Sequence, residues 1–451
     1  MPKHRKFPQI SRLGPWLGGI VVGAALAAAA AHALPRAASP YHNLGILARA
    51  LSHVELSYVD TPDQDRLIQG AIRGMIAELD PHSAYMDAQT YGVLAADTEG
   101  RFGGIGVEID AKDGWLTVLS TFEGGPAHRA GIRPGDRFVS IEGQSAQDMP
   151  IDEAVRRMRG EPGTTTRFRL RKGNSERVID MTLRREIIRV HAVEARVLPD
   201  QVAYIRIKGF QQSTTQELER ALDEAVAASS TKGGIQGVLL DLRNNPGGLL
   251  DEGIRVADEF LAEGIIVTTR GRKGRLLHEA RASSLDTRPN WPMVVLVNGF
   301  SASAAEIVAG ALQDNTRATL VGMRTFGKGS VQNIIELPDG SALKLTIARY
   351  YTPSGRSIQA EGIEPDVLVE QLDAEAVRNS QTKDLPSEAG LEGHLPNPME
   401  TDAPTIPQPL RNQPRTSPAL LSTLHSAFKD DYQAHMGHQV LKALIASRPA
   451  H

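Results

Sequence analysis

The sequence predicts an α/β fold, in which a core with largely parallel strands carries an inserted β-rich module and helical segments near both ends. Strands and helices alternate over residues 185–373, a pattern typical of parallel sheets. Residues 98–184 instead combine glycine-rich turns with short alternating strands. Residues 41–97 and 417–451 have apolar side chains at near-helical spacing, so we expect helices there.

The composition excludes several classes of chemistry. The chain has 451 residues, with 50 Lys and Arg against 53 Asp and Glu, and no Cys. The near balance of charge gives no electrostatic reason to expect a nucleic-acid partner. The absence of Cys excludes disulfides, thiolate nucleophiles and cysteine metal ligands.

Residues 1–33 have the pattern of an export signal. Residues 13–31 carry no charge, and Ala31-His32-Ala33 has the small residues of a cleavage site. The basic residues that precede this segment are Lys3, Arg5, Lys6 and Arg12. An uncleaved anchor over residues 13–31 is the alternative, because a segment of this length just spans a bilayer. Both interpretations place the bulk of the protein outside the cytoplasm.

The helical N-terminal region is predicted over residues 41–97. Its second helix should end at Leu79-Asp80-Pro81-His82-Ser83, because the residue before a proline disfavours the helical conformation. We interpret His82 as a structural residue of this turn.

The β-rich module should contain strands near 116–121, 137–142, 165–171 and 177–183, with a helix from Ile151 to Met158. Backbone N–H groups of its glycine-rich loop can hold a peptide carboxylate, while the peptide adds to the sheet as a strand.

Two blocks of the module, Phe102-Gly103-Gly104-Ile105-Gly106 and Gly125-Pro126-Ala127, together resemble a bacterial PDZ domain. The resemblance implies a carboxylate-binding loop made of Gly104, Ile105, Gly106 and Val107.

In the core, Ser303 lies where a buried strand passes into a helix. Val294–Val297 is apolar, Asn298-Gly299 is a turn dipeptide, and a helical pattern follows the serine. Free N–H groups and the helix dipole favour negative charge at such a helix start, which suits a nucleophile and its oxyanion. A capping box of Ser303 with Glu306 explains the same residues equally well.

Lys328 is the candidate base for this serine. It lies between Gly327 and Gly329 and is flanked by apolar segments. Close backbone approach at the glycines would desolvate the ammonium, and burial lowers the pKa of a lysine. In an extended segment Gln332 lies on the same face and could orient the ammonium without adding charge. A solvated surface lysine is the alternative.

Several sequence blocks, taken in order, resemble the C-terminal processing peptidases, also called tail-specific proteases. The blocks are Leu79-Asp80-Pro81-His82-Ser83, Phe102-Gly103-Gly104-Ile105-Gly106, residues 241–248, Ser301-Ala302-Ser303-Ala304, Phe326-Gly327-Lys328-Gly329 and residues 349–355. The resemblance covers about residues 41–370. It implies a serine-protease core with a Ser-Lys dyad, in which Ser303 is the nucleophile, Lys328, 25 residues later, is the general base, and Gln332 positions the lysine.

The resemblance also implies residues around the dyad. The oxyanion hole would use the N–H of Ala304 and that of Gly247 or Gly248, and the choice between the glycines stays open. Arg159 is a candidate sensor of tail binding, although a solvated surface charge is the favoured alternative. Ser301 is the rival nucleophile, with fewer free N–H groups near it.

The predicted function is that of an exported serine endopeptidase of the periplasm or cell envelope. It would recognise apolar C-terminal tails of protein substrates through the PDZ domain and cut them through an acyl-enzyme, with no metal or organic cofactor. A catalytically silent PDZ scaffold or chaperone is the alternative. The presence of Ser303, Lys328 and Gln332 together favours the enzyme.

The last part of the chain lies outside the specific resemblance. Residues 374–416 are rich in polar residues and proline and are predicted to be a disordered linker. The helical segment over residues 417–451 could dock on the core or, with the N-terminal helices, pair two copies into a homodimer. An adaptor protein is a further candidate partner.

Overall fold

The computed structural model describes residues 40–370, except 174 and 176, together with residues 387–399, 428 and 431–448. The predicted signal or anchor over residues 1–33 therefore lies outside the described residues. Of the helices that the structure describes, none is long and apolar enough to cross a membrane.

The chain divides into two compact units, residues 1–74 and residues 75–451. Helix α1 covers Pro40–Ser57 and helix α2 covers Gln64–Ala77. Both are helices that the apolar spacing predicts, and α2 ends before Pro81, as expected.

The β-rich module follows a short strand and a helix. The elements in this part are β1 Ala84–Met86, α3 Ala88–Glu99, β2 Arg101–Gly104, β3 Val107–Lys112, β4 Trp115–Thr121, α4 Pro126–Arg129, β5 Arg137–Ile141, β6 Gln144–Ser145, α5 Ile151–Met158, β7 Thr165–Arg171, β8 Val178–Arg184 and β9 Glu186–Arg189. The four predicted strands and the predicted helix are found within one residue of their expected bounds.

An antiparallel sheet in the order β3-β4-β5-β7-β8 forms the module, with β6 paired to β5. Its core includes Phe138 and Phe168, whose rings meet edge to face at 5.4 Å. Strand β3 is at the end of this order, so its outer edge is available for pairing with an added strand.

The remaining elements build the core of the second unit. They are β10 Val193–Val197, β11 Val202–Ile207, α6 Thr214–Ser229, β12 Gly237–Asp241, α7 Leu250–Asp258, β13 Ile265–Arg270, β14 Leu276–Arg281, β15 Met293–Val297, α8 Ala304–Asp314, β16 Thr319–Gly322, β17 Ser330–Glu336, β18 Ala342–Tyr351, β19 Val367–Leu368 and α9 Tyr432–Ala446.

The prediction of a core with largely parallel strands is not confirmed. One sheet, in the order β10-β11-β12-β15-β16-β19, is parallel apart from its β10–β11 pair. The second core sheet, made of β1, β18, β13, β14 and β17, is antiparallel, as are the other sheets that the structure describes. The reason is that β17 and β18 are joined by a short turn, which permits only antiparallel pairing.

The parallel sheet brings two loops together at one edge. Strands β12 and β15 are neighbours, and each leads at its carboxyl end into a glycine- or serine-containing loop. The N–H of Ala302 donates to the carbonyl of Asn245 over 2.9 Å and joins the two loops. Residues 245–248 and 299–303 therefore lie at the same edge of the sheet, where the carboxyl ends of parallel strands form ligand sites.

The C-terminal helix α9 packs on the parallel sheet, with Leu441 buried in a cluster that contains Leu296 and Phe428. Arg243, just after β12, binds Asp241 and also Asp431 at the start of α9. The described part of the predicted C-terminal segment therefore docks on the core, and the pairing of two copies stays a prediction.

Part of the predicted disordered linker is ordered. Residues 387–399 pack against the core, with Glu388 and Asn397 buried. Polar composition suggested disorder, but these polar groups are paired inside the protein. Residues 374–386 and 400–416 lie outside the described residues.

Candidate active site

Ser303 is the last residue before helix α8 and has an unusual backbone conformation. Its φ of 56° and ψ of −115° lie in a region that non-glycine residues rarely adopt, so the surrounding contacts must hold it there. The residue is 7% exposed. Its N–H donates to the carboxylate of Glu306 over 2.8 Å, which is the Glu306 part of the predicted capping box.

Glu306 is completely buried and joins the serine to the lysine loop. Its Oε2 accepts the N–H groups of Ser303 at 2.8 Å and Lys328 at 2.9 Å. Its Oε1 accepts the hydroxyl of Thr325 at 2.5 Å and the N–H of Gly327 at 2.8 Å. Burial raises the pKa of Glu306 to about 7, although these donors act in the opposite direction. The carboxylate therefore fixes the spacing of two backbone segments.

Tyr350 on β18 lies near the side chain of Ser303. Burial raises the pKa of Tyr350, so its phenol stays protonated near neutral pH and does not serve as a base. Among the described residues, no hydrogen bond joins the Ser303 hydroxyl to the ammonium of Lys328.

Glycines on both sides of Lys328 allow the chain to pass against residues 358–362. A Cβ on Gly329 would lie 2.3 Å from the backbone nitrogen of Gln359. Gly327 has a φ of 96°, and its Cβ would meet the backbone of Ala360 at 3.1 Å. The expectation that these glycines permit close backbone approach is correct.

Lys328 is half-buried, and burial is the main cause that lowers its pKa from the ordinary lysine value. The positive charge of Lys344 acts in the same direction. Glu388, Glu306 and Asp80 oppose it, because their negative charges favour the protonated ammonium. The lysine is thus closer to neutrality than a solvated one, which contradicts the surface alternative.

One backbone N–H group beside Ser303 and one beside Gly247 are candidates for an oxyanion site. In the part of the chain that the structure describes, neither Ala304 nor Gly248 has an acceptor for its N–H, whereas Gly247 donates to the side chain of Asn245 over 2.8 Å. Gly247 nevertheless touches the serine, since a Cβ there would lie 2.7 Å from the Cβ of Ser303.

Gln332 is not joined to Lys328. Its amide nitrogen donates to the hydroxyl of Ser330 over 2.8 Å. The prediction that Gln332 and Lys328 lie on one face assumed a regular strand through both residues. Strand β17 begins only at Ser330, however, and its register shifts between Val331 and Gln332.

Ser301, the rival nucleophile, has its hydroxyl occupied. The hydroxyl donates to the carbonyl of Leu242 over 2.8 Å and accepts the N–H of Asn298 over 3.0 Å, and the residue is fully buried. These bonds leave Ser303 as the better-placed serine.

The predicted carboxylate loop lines a cleft in the β-rich module. Gly104, Ile105, Gly106 and Val107 share this cleft with Phe102, Ile109, Val155, Met158 and Arg159. The guanidinium of Arg159 lies 4.2 Å over the Phe102 ring and donates to Asp97 on α3 over 2.7 Å. Arg159 is therefore a paired residue at the cleft and not a solvated surface charge.

Three residues near the dyad were not expected there from the sequence. Tyr350 and Glu388 had no recognisable signal, because each comes from a distant segment. His82 was interpreted as a turn residue, but its Nε2 lies 2.8 Å from the carboxylate of Glu388. No group of three or more metal-ligating side chains occurs within the described residues.

Comparisons with known proteins identify the family of the chain. Residues 201–369 match the model of peptidase family S41, residues 119–172 match a PDZ domain, and residues 26–90 match the N-terminal domain of activating protease CtpB. The carboxy-terminal-processing protease of Bartonella bacilliformis is 42% identical over 362 residues, which are 80% of this chain and 82% of that protein.

Two further relatives also align with this chain over about two thirds or more of both sequences. The carboxy-terminal processing protease CtpA of Bacillus subtilis is 36% identical over 329 residues, or 72% of this chain and 69% of the relative. The carboxyl-terminal-processing protease of Synechocystis is 40% identical over 308 residues, or 67% of this chain and 70% of the relative.

Proposed function

Since the chain belongs to the carboxy-terminal processing proteases, serine peptidases of family S41 with a PDZ domain, we propose that it is an endopeptidase that cuts protein substrates through a Ser303–Lys328 dyad. The observation that carries this proposal is the shared hydrogen bonding of Ser303 and Lys328 to Glu306, beside two unoccupied N–H donors. Without metal or organic cofactor, these groups supply a nucleophile, a base and an oxyanion site.

The reaction begins when the Ser303 hydroxyl meets the neutral amine of Lys328. The neutral amine takes the hydroxyl proton as the oxygen attacks the scissile carbonyl. Ala304 and Gly248 donate to the oxyanion; Gly247 is the weaker candidate, because its N–H is already bonded to Asn245. The protonated lysine then gives its proton to the leaving amine, and water hydrolyses the acyl-enzyme. Gln332 would orient the ammonium after a side-chain rotation.

Apolar C-terminal tails are the proposed ligands of the PDZ cleft. The cleft combines apolar side chains with a glycine-containing loop, and the edge of β3 lies beside it. A tail that adds to this edge would place its carboxylate at Gly104–Val107. Arg159 would sense the tail, because its contacts with Phe102 and Asp97 connect the cleft to helix α3.

A fluorescent peptide with an apolar C-terminal tail tests this function. The purified chain should bind and cut it, and Ser303→Ala should bind it without cutting. Binding without turnover in the unaltered protein, at every pH tried, would support the scaffold or chaperone alternative instead.

We place the enzyme in the periplasm or cell envelope, on the basis of the predicted signal or anchor in residues 1–33. Homodimer formation through the terminal helices and binding of an adaptor protein stay predictions.

A further inference from the structure

A short segment near the C-terminus covers the loop that carries Lys328. The N–H of Glu388 donates to the carbonyl of Phe326 over 3.1 Å, and Glu388 itself is fully buried. Its carboxylate contacts the Nε2 of His82 at 2.8 and 2.9 Å and accepts the amide of Gln359 at 2.8 Å. A buried carboxylate with this many partners is a specific contact and not an incidental one.

Gln359 extends the same network to the other side of the lysine. Its Oε1 accepts the N–H of Gly329 over 3.1 Å, while its amide nitrogen donates to Glu388 and to the carbonyl of Leu395. Glu388 therefore reaches both flanks of Lys328, Phe326 through its own backbone and Gly329 through Gln359.

We propose that Glu388 is a positioning residue for Lys328, holding the lysine loop in its reactive place through Phe326, Gln359 and His82. The inference rests on the proposed role of Lys328 as the base. It gives residues 387–399 a part in the reaction, although this segment lies outside the blocks that resemble the family.

The charge of Glu388 also reaches the ammonium. The charged groups that act on Lys328 are Glu306 of α8, Lys344 of β18, Asp80 of the turn before β1, and Glu388. Glu388 in turn faces His82 and Lys328. Because the Glu388 carboxylate raises the pKa of Lys328, its neutralisation should let the lysine lose its proton at lower pH.

Peptide turnover by full-length variants tests the inference. Glu388→Ala should lower kcat by about tenfold or more with KM nearly unchanged, since the tail-binding cleft is on another domain. Glu388→Gln keeps an acceptor oxygen, so it should lose less kcat and should move the acidic limb of the kcat profile to lower pH. Glu392→Ala is the matched control, because Glu392 is an exposed glutamate of the same segment and should behave as the unaltered enzyme.

Each outcome either supports or overturns the positioning role of Glu388. A purely structural Glu388 would not move the pH profile, so Glu388→Gln with the unaltered acidic limb overturns the proposal, even if Glu388→Ala fails to fold. Lys328→Ala separates the two claims: if it keeps full turnover, the proposed dyad is wrong. If Lys328→Ala is inactive while both Glu388 variants match the Glu392→Ala control, only the role of Glu388 is wrong.

Discussion

The backbone N–H groups of Ser303 and Lys328 donate to the same oxygen, Oε2 of Glu306, over 2.8 and 2.9 Å. The proposed nucleophile and base come from different loops, and this one buried carboxylate sets the distance between their backbones. Because it binds only their backbone N–H groups, it leaves both side chains free for the reaction.

Glu306→Ala should therefore destabilise the protein as well as inactivate it. The substitution leaves four buried donors without their acceptor, and an unsatisfied buried group costs about 1–3 kcal/mol. We expect the free energy of unfolding, measured in urea, to fall by about 3 kcal/mol or more. Glu263→Ala, at an exposed turn, is the control and should change it by less than about 0.5 kcal/mol. Similar small losses in both variants would contradict this role of Glu306.

Lys328→Ala should reduce kcat by about 100-fold or more, because general base catalysis typically contributes 10² to 10⁴. Tail binding should be preserved, since the PDZ cleft is on another domain. Steady-state turnover and fluorescence anisotropy of the same peptide measure the two properties. Lys208→Ala, at a partly exposed lysine paired with Glu194, should retain full turnover. Loss of binding in Lys328→Ala would show a wider structural defect.

The pH dependence of turnover should follow the proton of Lys328. Activity should rise with pH, with a midpoint below the ordinary lysine pKa of about 10.4, because burial lowers the pKa of this residue. Lys344→Gln removes a positive charge that disfavours the protonated form. The lysine should then hold its proton to higher pH, and the acidic limb should move to higher pH. Lys208→Gln is the control and should leave the acidic limb unchanged. An equally unchanged acidic limb in Lys344→Gln would argue against Lys328 as the titrating base.

Gly329→Ala should lower both stability and kcat. The added Cβ would lie 2.3 Å from the backbone nitrogen of Gln359, so the lysine loop must shift. We expect a loss of about 2 kcal/mol or more in urea unfolding. Gly92→Ala in helix α3 is the control, because its Cβ meets nothing within 4 Å and alanine favours a helix by about 1 kcal/mol. A Gly329→Ala protein as stable and active as Gly92→Ala would show that the loop is not closely packed.

The sequence singled out Ser303 and Lys328 as candidates because each has a local signal. A serine between a buried strand and a helix, and a lysine between two glycines, are visible without knowledge of the fold. Tyr350, Glu388 and Gln359 have no such signal, because only folding brings their distant segments to the site. The polar composition of residues 387–399 even suggested disorder. Composition alone does not show that a polar residue such as Glu388 has buried partners in the folded protein.

Two predictions from the sequence assumed regular strands or a regular strand order that the structure does not have. The expected pairing of Gln332 with Lys328 required a continuous strand, but the strand starts later and has a register shift. The expectation of largely parallel strands extended the strand–helix alternation of β11 to β16 over residues that form antiparallel hairpins. Sequence periodicity indicates a strand, but loop length decides the direction of its partner.

Covalent labelling tests the Ser303–Lys328 dyad most directly. A fluorophosphonate, which reacts with activated serines, should form an adduct that peptide mass spectrometry locates on Ser303. Lys328→Ala should label at least about 100-fold more slowly, because the serine loses its base. An adduct on Ser301, or labelling of Ser303 at the same rate in Lys328→Ala, would contradict the proposed dyad.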